Sequence, residues 1–100
     1  MSVVVTGTFP GDTDAFRRFI VSGADVMRKI SEDAKSKGAI HHRFAVGDGF
    51  VLLVDEWESA EAFQSFFQSN PDIPTVMQEA GARGEPQFTI AEAVETADQF

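Results

Sequence analysis

The chain of 100 residues contains no cysteine, and this absence excludes several kinds of structure and chemistry. Disulfide bonds, thiolate nucleophiles and cysteine ligands for metals are all ruled out. Stability must therefore come from a hydrophobic core or from an interface between subunits. Hydrophobic residues make up 43% of the sequence, which suffices for a core, and we predict a single domain over residues 1–100.

Long apolar runs are also missing, since no stretch approaches the roughly 20 apolar residues of a membrane-spanning helix. The first ten residues, MSVVVTGTFP, have neither the basic start nor the long apolar centre of a secretory signal. We therefore predict a cytoplasmic protein without a membrane partner.

Positive charge is scarce in the second part of the chain. Residues 1–43 carry seven basic and five acidic groups, whereas residues 44–100 carry eleven acidic groups and a single cation, Arg83. Binding to nucleic acids and anionic membranes depends on basic patches that release counterions. We therefore predict no nucleic-acid partner, and the net charge of −8 is typical of a surface that favours solubility.

One segment of thirty residues, GAIHHRFAVGDGFVLLVDEWESAEAFQSFF at positions 38–67, contains both histidines and the only tryptophan. Its Asp48-Gly49 dipeptide between two apolar runs is typical of a two-residue hairpin turn, in which both central residues adopt positive φ. We therefore predict a hairpin with strands at residues 39–46 and 50–57.

The other elements follow from hydrophobic periodicity and from capping and turn residues. They are a strand at residues 2–9, a long helix at about 13–37, a helix from Ser59 to Asn70-Pro71, a short helix at about 73–80 and a strand at 87–94. The order of the main elements is β-α-β-β-α-β, which predicts the ferredoxin-like α+β fold with helices on one face of an antiparallel sheet. The strand at residues 50–57 is apolar on both faces in places, so we predict a homodimer that covers the second face.

Two stretches carry a family resemblance: DEWESAEAFQSFF at residues 55–67 and HHRF at residues 41–44. Together with the order of elements, they resemble the dimeric α+β barrel superfamily, and most closely its antibiotic-biosynthesis-monooxygenase-like group. Members of the superfamily include cofactor-independent oxygenases of polycyclic phenols, haem-degrading enzymes and isomerases. The resemblance implies a ligand cavity between the helices and the sheet of each subunit.

The chain departs from two patterns of that superfamily. Haem-degrading members use an asparagine near the first strand and a histidine on a helix, but here the only asparagine is Asn70 and both histidines fall on a predicted strand. Tyrosines are proposed to hold phenolic substrates in the oxygenase members, and this chain has none. Neither set of roles is therefore transferred to this sequence.

The two histidines are the candidate bases. His41 and His42 are adjacent on a strand and point to opposite faces, so they cannot bind one metal ion together, and we predict no metal site. A two-residue turn places His42 across from Asp55 and His41 across from Glu56, whereas a three-residue turn pairs His41 with Asp55. Either pair fixes the imidazole tautomer and makes the ring a better base. The alternative is a purely structural contact between the strands.

Further candidates surround this pair. Arg43 is expected either to neutralise an anionic ligand or to pair with a surface carboxylate. Trp57 is expected either to stack on an aromatic ligand or to anchor a core or interface. Aromatic residues at helical spacing either line the cavity or form the core, namely Phe16, Phe63 and Phe67.

These observations lead to one main hypothesis and two alternatives. The main hypothesis is a cofactor-independent monooxygenase for a hydrophobic aromatic or polyketide-like molecule, because such chemistry needs only a base and a dry, shaped site. His42 or His41 would be the base and Asp55 would orient it. The alternatives are a non-catalytic ligand-binding or interaction protein, and an isomerase or lyase that consumes no oxygen.

Overall fold

The computed structural model describes all residues from Met1 to Phe100 and contains four strands and four helices. In chain order they are β1 (Val3–Pro10), α1 (Thr13–Ser22), α2 (Ala24–Ser36), β2 (Ala39–Val46), β3 (Phe50–Trp57), α3 (Ala60–Ser69), α4 (Ile73–Glu79) and β4 (Gln87–Glu92). The strands form one antiparallel sheet in the order β2-β3-β1-β4. This arrangement confirms the predicted ferredoxin-like α+β fold. None of the helices has the length and apolar character needed to cross a membrane.

The two faces of the sheet differ in how well they are covered. Along β3, alternate residues are buried against the helices, and the core joins Val5, Leu53 and Trp57 of the sheet to Phe63 and Phe66 of α3. The residues between them in β3 are only half-buried, because no element of the chain covers the opposite face. That face therefore stays accessible in a single subunit.

The predicted long helix at residues 13–37 was wrong, because the chain contains two helices that meet at Gly23. The N–H of Gly23 donates to the carbonyl of Phe19 at 2.7 Å and ends α1. The ring of Phe19 occupies the space where a side chain would begin, and a Cβ at Gly23 would lie 2.4 Å from it. Ile20, in the last turn of α1, is 44% exposed.

The β2–β3 hairpin has the register of the two-residue turn. Its pairs include His42 with Asp55 and His41 with Glu56, and the N–H of Gly47 donates to the carbonyl of Phe50 at 2.9 Å. Gly49 has the expected positive φ of 79°, but Asp48 does not, so the expectation of positive φ at both turn residues was wrong. A negative φ followed by a glycine with positive φ is the sign pattern of a type II turn, which spares Asp48 the strain of the left-handed region.

Polar contacts hold α2 to the junction between α3 and α4. The buried Asn70 donates from Nδ2 to Asp33 Oδ2 at 2.8 Å and accepts from the N–H of Asp72 at 2.9 Å. Lys29 of α2 pairs with Asp72 at 3.3 Å. The hydrogen bond from Lys37, and then that from Asn70, lowers the pKa of Asp33. These contacts fix α2 above the sheet without burying any of its side chains.

We predict that Gly23→Ala destabilises the protein, although alanine normally favours a helix over glycine by about 1 kcal/mol. The added methyl group would meet the buried ring of Phe19, and overpacking of this kind costs about 1–3 kcal/mol. Urea denaturation followed by circular dichroism measures the change in unfolding free energy. The same substitution in a Phe19→Leu background is the control and should be neutral or stabilising. A single Gly23→Ala variant as stable as the parent would show that the ring does not impose the break.

Candidate functional site

A cavity of about 530 Å³ lies between the sheet and the helices. Of its 29 lining residues 19 are hydrophobic, which suits an apolar ligand of the size that such pockets commonly bind. The sheet contributes Val51, Leu53 and Trp57 to the floor. Residues of all four helices form the walls and the roof. They include Phe16 of α1, Met27 and Ile30 of α2, Phe63, Phe66 and Phe67 of α3, and Val76 and Met77 of α4.

Aromatic rings pack against one another around much of this cavity, in most cases edge to face. The ring of Trp57 lies 5.6 Å from that of Phe63 and 5.2 Å from that of Phe66, measured between centroids. On the β2 side, Phe44 packs against His42 at 4.8 Å and against Phe16 at 5.4 Å. Such contacts hold the rings in defined positions, so the cavity has shaped walls.

A buried carboxylate links the histidine to the tryptophan. Asp55 is 6% exposed, and its Oδ1 lies 2.7 Å from Nδ1 of His42. Its Oδ2 accepts a hydrogen bond of 3.0 Å from Nε1 of Trp57. An ionised carboxylate only accepts hydrogen bonds, so the proton of a neutral His42 is assigned to Nδ1 and the lone pair to Nε2.

Local sequence explains this meeting of three side chains. Asp55 and Trp57 are two residues apart in β3, so strand alternation places them on the same face. The two-residue turn then brings His42 across from Asp55. Both relations are short in sequence and depend only on strand geometry and on the turn.

The cavity opens between α2 and β2. Every exposed residue of its lining belongs to one of these two elements: Arg28, Glu32 and Lys35 of α2, and Ile40, His41, His42 and Phe44 of β2. The side chain of His42 is 43% exposed, whereas that of Asp55 is 7% exposed. The histidine therefore lies at the mouth and its carboxylate partner lies inside.

The structure brings together most of the residues proposed from sequence. His42, Asp55 and Trp57 form the hydrogen-bonded group, and Phe16, Phe63 and Phe67 line the same cavity. The catalytic and binding roles of these residues stay predictions. Trp57 is 1% exposed and donates to Asp55, so it serves as a core anchor as well as a wall of the cavity.

Two of the proposed residues lie outside this hydrogen-bonded group. Arg43 does not border the cavity and forms none of the ion pairs, so the expected pairing with a surface carboxylate is not present. His41 borders the mouth, but alternation along β2 puts its side chain on the face of Arg43, away from His42. No group of three or more potential ligand side chains is arranged to hold a metal ion.

Sequence reasoning missed the polar rim of α2 and the contribution of α4. Arg28, Ser31, Glu32 and Lys35 all border the cavity, and their spacing places them on one flank of the helix. This spacing was visible in the sequence. What was not visible is that this flank of the helix borders the mouth of the cavity, because the same pattern is typical of any surface helix.

We predict an energetic coupling between Trp57 and Asp55. Trp57→Phe removes the donor to a buried carboxylate oxygen, and leaving such a group unpaired costs about 1–3 kcal/mol. In an Asp55→Ala background the same substitution should cost less, with a coupling of about 0.5–3 kcal/mol. Urea denaturation followed by circular dichroism is the measurement. Tryptophan fluorescence cannot be used, because Trp57 is the only tryptophan and the variant lacks it. Additive effects of the two substitutions would contradict a functional hydrogen bond.

Comparisons with known proteins give a match only in structure. No family model matches the sequence, and no curated protein matches it. A monooxygenase from the gene ActVA-Orf6 of Streptomyces coelicolor, in complex with the ligand Nanaomycin D, matches with a TM-score of 0.69 and 18% identity over 98% of this chain and 93% of that one. SnoaB from Streptomyces nogalater, a cofactor-independent oxygenase, matches with a TM-score of 0.64 and 14% identity over 98% of both chains.

Two further solved structures agree with these. Rv0793 from Mycobacterium tuberculosis matches with a TM-score of 0.63 and 13% identity over 98% of this chain and 100% of that one. A structure described as an antibiotic biosynthesis monooxygenase matches with a TM-score of 0.64 and 13% identity over 93% of this chain and 99% of that one. At such identities a likeness shows the fold alone. The chain has the α+β fold of the antibiotic biosynthesis monooxygenase structures, as its motifs predicted.

Proposed function

We propose that this protein is a cofactor-independent monooxygenase for a hydrophobic aromatic or polyketide-like small molecule. The observation that carries the proposal is a histidine, held by a buried carboxylate, at the mouth of a phenylalanine-rich cavity. The fold supports it, because SnoaB is described as a cofactor-independent oxygenase and the ActVA-Orf6 protein as a monooxygenase. Fold alone does not determine function, so the residues of the site are the stronger support.

The first step is removal of a proton from the substrate by His42. With Nδ1 bonded to Asp55, the lone pair of Nε2 accepts the proton from a phenol or from carbon beside a carbonyl group. The carboxylate then stabilises the imidazolium that forms. Trp57 acts as a positioning residue, because its indole N–H holds the second oxygen of the carboxylate.

The second step is reaction of the substrate anion with oxygen. Its electron-rich carbon gives up an electron pair to form a bond to one oxygen atom, and the resulting peroxide takes up a proton. Loss of water then leaves a new carbonyl group, so that a CH₂ group and O₂ yield C=O and H₂O. The substrate supplies all the electrons, and the protein supplies the base and a largely apolar cavity.

The other predicted residues take supporting roles in this proposal. Phe16, Phe63 and Phe67 would shape the apolar part of the cavity around the rings of the ligand. His41 is the weaker candidate base, because strand alternation turns its side chain away from that of His42. Arg43 has no contact with the cavity and is left without a role in the reaction.

We also propose that the protein is a homodimer in which two copies pack through the open faces of their sheets. Apolar residues of this face, among them Val4, Leu52 and Val54, stay partly accessible in one subunit. The uncovered face belongs to a sheet that is buried on its other side, so a second sheet would complete its burial. Only eleven of the 100 residues are buried in the single chain, so packing of two sheets would bury further apolar surface and stabilise the fold.

We predict that His42→Gln abolishes oxygen uptake with little loss of ligand binding. The glutamine amide can still donate to Asp55 but cannot act as a base, so turnover should fall by about 10²- to 10⁴-fold. An oxygen electrode measures uptake with an enolisable polycyclic ketone such as anthrone, and calorimetry measures its binding. His41→Gln is the matched control and should change the rate by only a few-fold.

The possible results separate the proposal from its alternatives. Binding without oxygen uptake in the parent protein would indicate a non-catalytic binding protein, in which His42 and Asp55 merely join the two strands. Conversion of the compound without oxygen uptake would indicate an isomerase or lyase. Equal losses for the two histidine variants would contradict the assignment of His42 as the base.

We predict that Leu52→Glu converts a dimer into a monomer. Leu52 lies on the open face beside Thr8 and Ala45, where a buried carboxylate would have no cation in register with it. Sedimentation equilibrium measures the mass. Val21→Glu is the matched control, because Val21 is 80% exposed on α1 and should leave the mass unchanged. A monomeric parent protein would refute the dimer.

A further inference from the structure

The charged groups inside the cavity are already occupied. Asp55 accepts hydrogen bonds from His42 and Trp57, one on each carboxylate oxygen. Asp12, at another part of the lining, accepts from the backbone N–H groups of Asp14 and Ala15 and caps α1. The interior therefore offers a ligand no cation.

The mouth differs, because two cations border it. Arg28 and Lys35 are the only lysine or arginine residues of the lining. They are seven residues apart on α2, so they lie on one flank of the helix at a separation of about 10 Å along its axis. Ser31 and Glu32 lie between them on the same side, and His42 and Ile40 form the opposite lip.

Both cations have partners that a ligand could replace. Arg28 contacts Asp25 at 2.6 Å, and the two side chains are 72% and 101% exposed. Lys35 contacts Glu32 at 3.2 Å, and these side chains are 65% and 73% exposed. Exposed ion pairs within one helix contribute little to stability, so exchanging one carboxylate for another has little cost.

We propose that the ligand carries a carboxylate, which Arg28 and Lys35 hold at the mouth while its apolar rings fill the cavity. This inference rests on the proposed function, in that the cavity is taken as the ligand site. A carboxylate could not enter the apolar interior without an unpaired buried charge, so it must stay at the mouth. The ligand carboxylate would replace Glu32 on Lys35, which fixes one orientation, acid outward and rings inward.

The orientation has a consequence for the reaction. With the acid held on the α2 lip, the part of the ring system nearest the mouth lies beside the β2 lip, where His42 is located. The two cations would therefore determine which carbon atom or phenol hydroxyl of the ligand lies next to His42. The chain has a net charge of −8, which repels anions in general. The positive charges of Arg28 and Lys35 at the mouth favour the approach of an anion there.

The test compares two probes of the same shape, anthraquinone-2-carboxylate and its primary amide. Isothermal titration calorimetry gives both affinities for the parent protein and for the Arg28→Gln/Lys35→Gln double variant. The carboxylate should bind the parent roughly three- to tenfold more tightly, and the preference should vanish in the double variant and at 0.5 M NaCl. Glu32→Gln should increase the preference, because it removes the competing carboxylate.

The matched control is Arg17→Gln, since Arg17 is an exposed arginine of α1 that does not border the cavity. It should keep the full preference for the acid. An unchanged affinity of the double variant for the amide would show that its cavity is intact. Equal affinities of the parent for both probes, or a preference that survives the double substitution, would overturn the inference and leave the cavity as a ligand site. Binding of neither probe would refute the proposed ligand site itself and the inference with it.

Discussion

The buried carboxylate of Asp55 is the group on which the arrangement of the site depends. A carboxylate in an apolar interior requires a donor on each oxygen, and here His42 and Trp57 supply them from the two strands of one hairpin. The hydrogen bond to Asp55 fixes the tautomer of the imidazole, and packing against the ring of Phe44 helps to fix its direction. The same contacts that stabilise the hairpin therefore prepare a base. This dual use explains why a structural role and a catalytic role for the pair are not exclusive.

The cavity imposes a cost on the rest of the fold. Space that would otherwise be filled by core side chains is left open, so α2 buries none of its residues and the core cluster is confined to β1, β3 and α3. Polar contacts compensate in part, since Asn70 joins Asp33 of α2 to the start of α4 and Lys29 reaches Asp72. These contacts hold α2 to the start of α4. The opening is consequently on the β2 side, where nothing comparable joins the helix to the strand.

Much of this could be predicted from the sequence, and the parts that could not share a physical cause. The Gly47-Asp48-Gly49 turn limited the hairpin to two registers, and the structure has the one in which His42 meets Asp55, a choice that the sequence left open. The break at Gly23 depends on where the ring of Phe19 packs, and that is decided by tertiary contacts. The hydrogen bond from the indole of Trp57 to Asp55 depends on the rotamers of the two side chains, which the sequence pattern does not specify. Arg28 and Lys35 have the spacing of any solvated helix flank. Only their position beside the cavity beneath α2 indicates a role in ligand binding.

The fold supports the proposed function less strongly than the residues of the site do. Identities of 13–18% to solved structures of this fold leave room for any chemistry that the scaffold supports. The absence of tyrosine means that a phenolic ligand cannot be held by phenol hydroxyls of this chain, so binding must come from apolar contact and from charge. Apolar contact selects for rings but does not orient them, because it is non-directional. Orientation must then come from the few polar groups at the mouth, and this requirement gives His42 and the α2 cations complementary tasks.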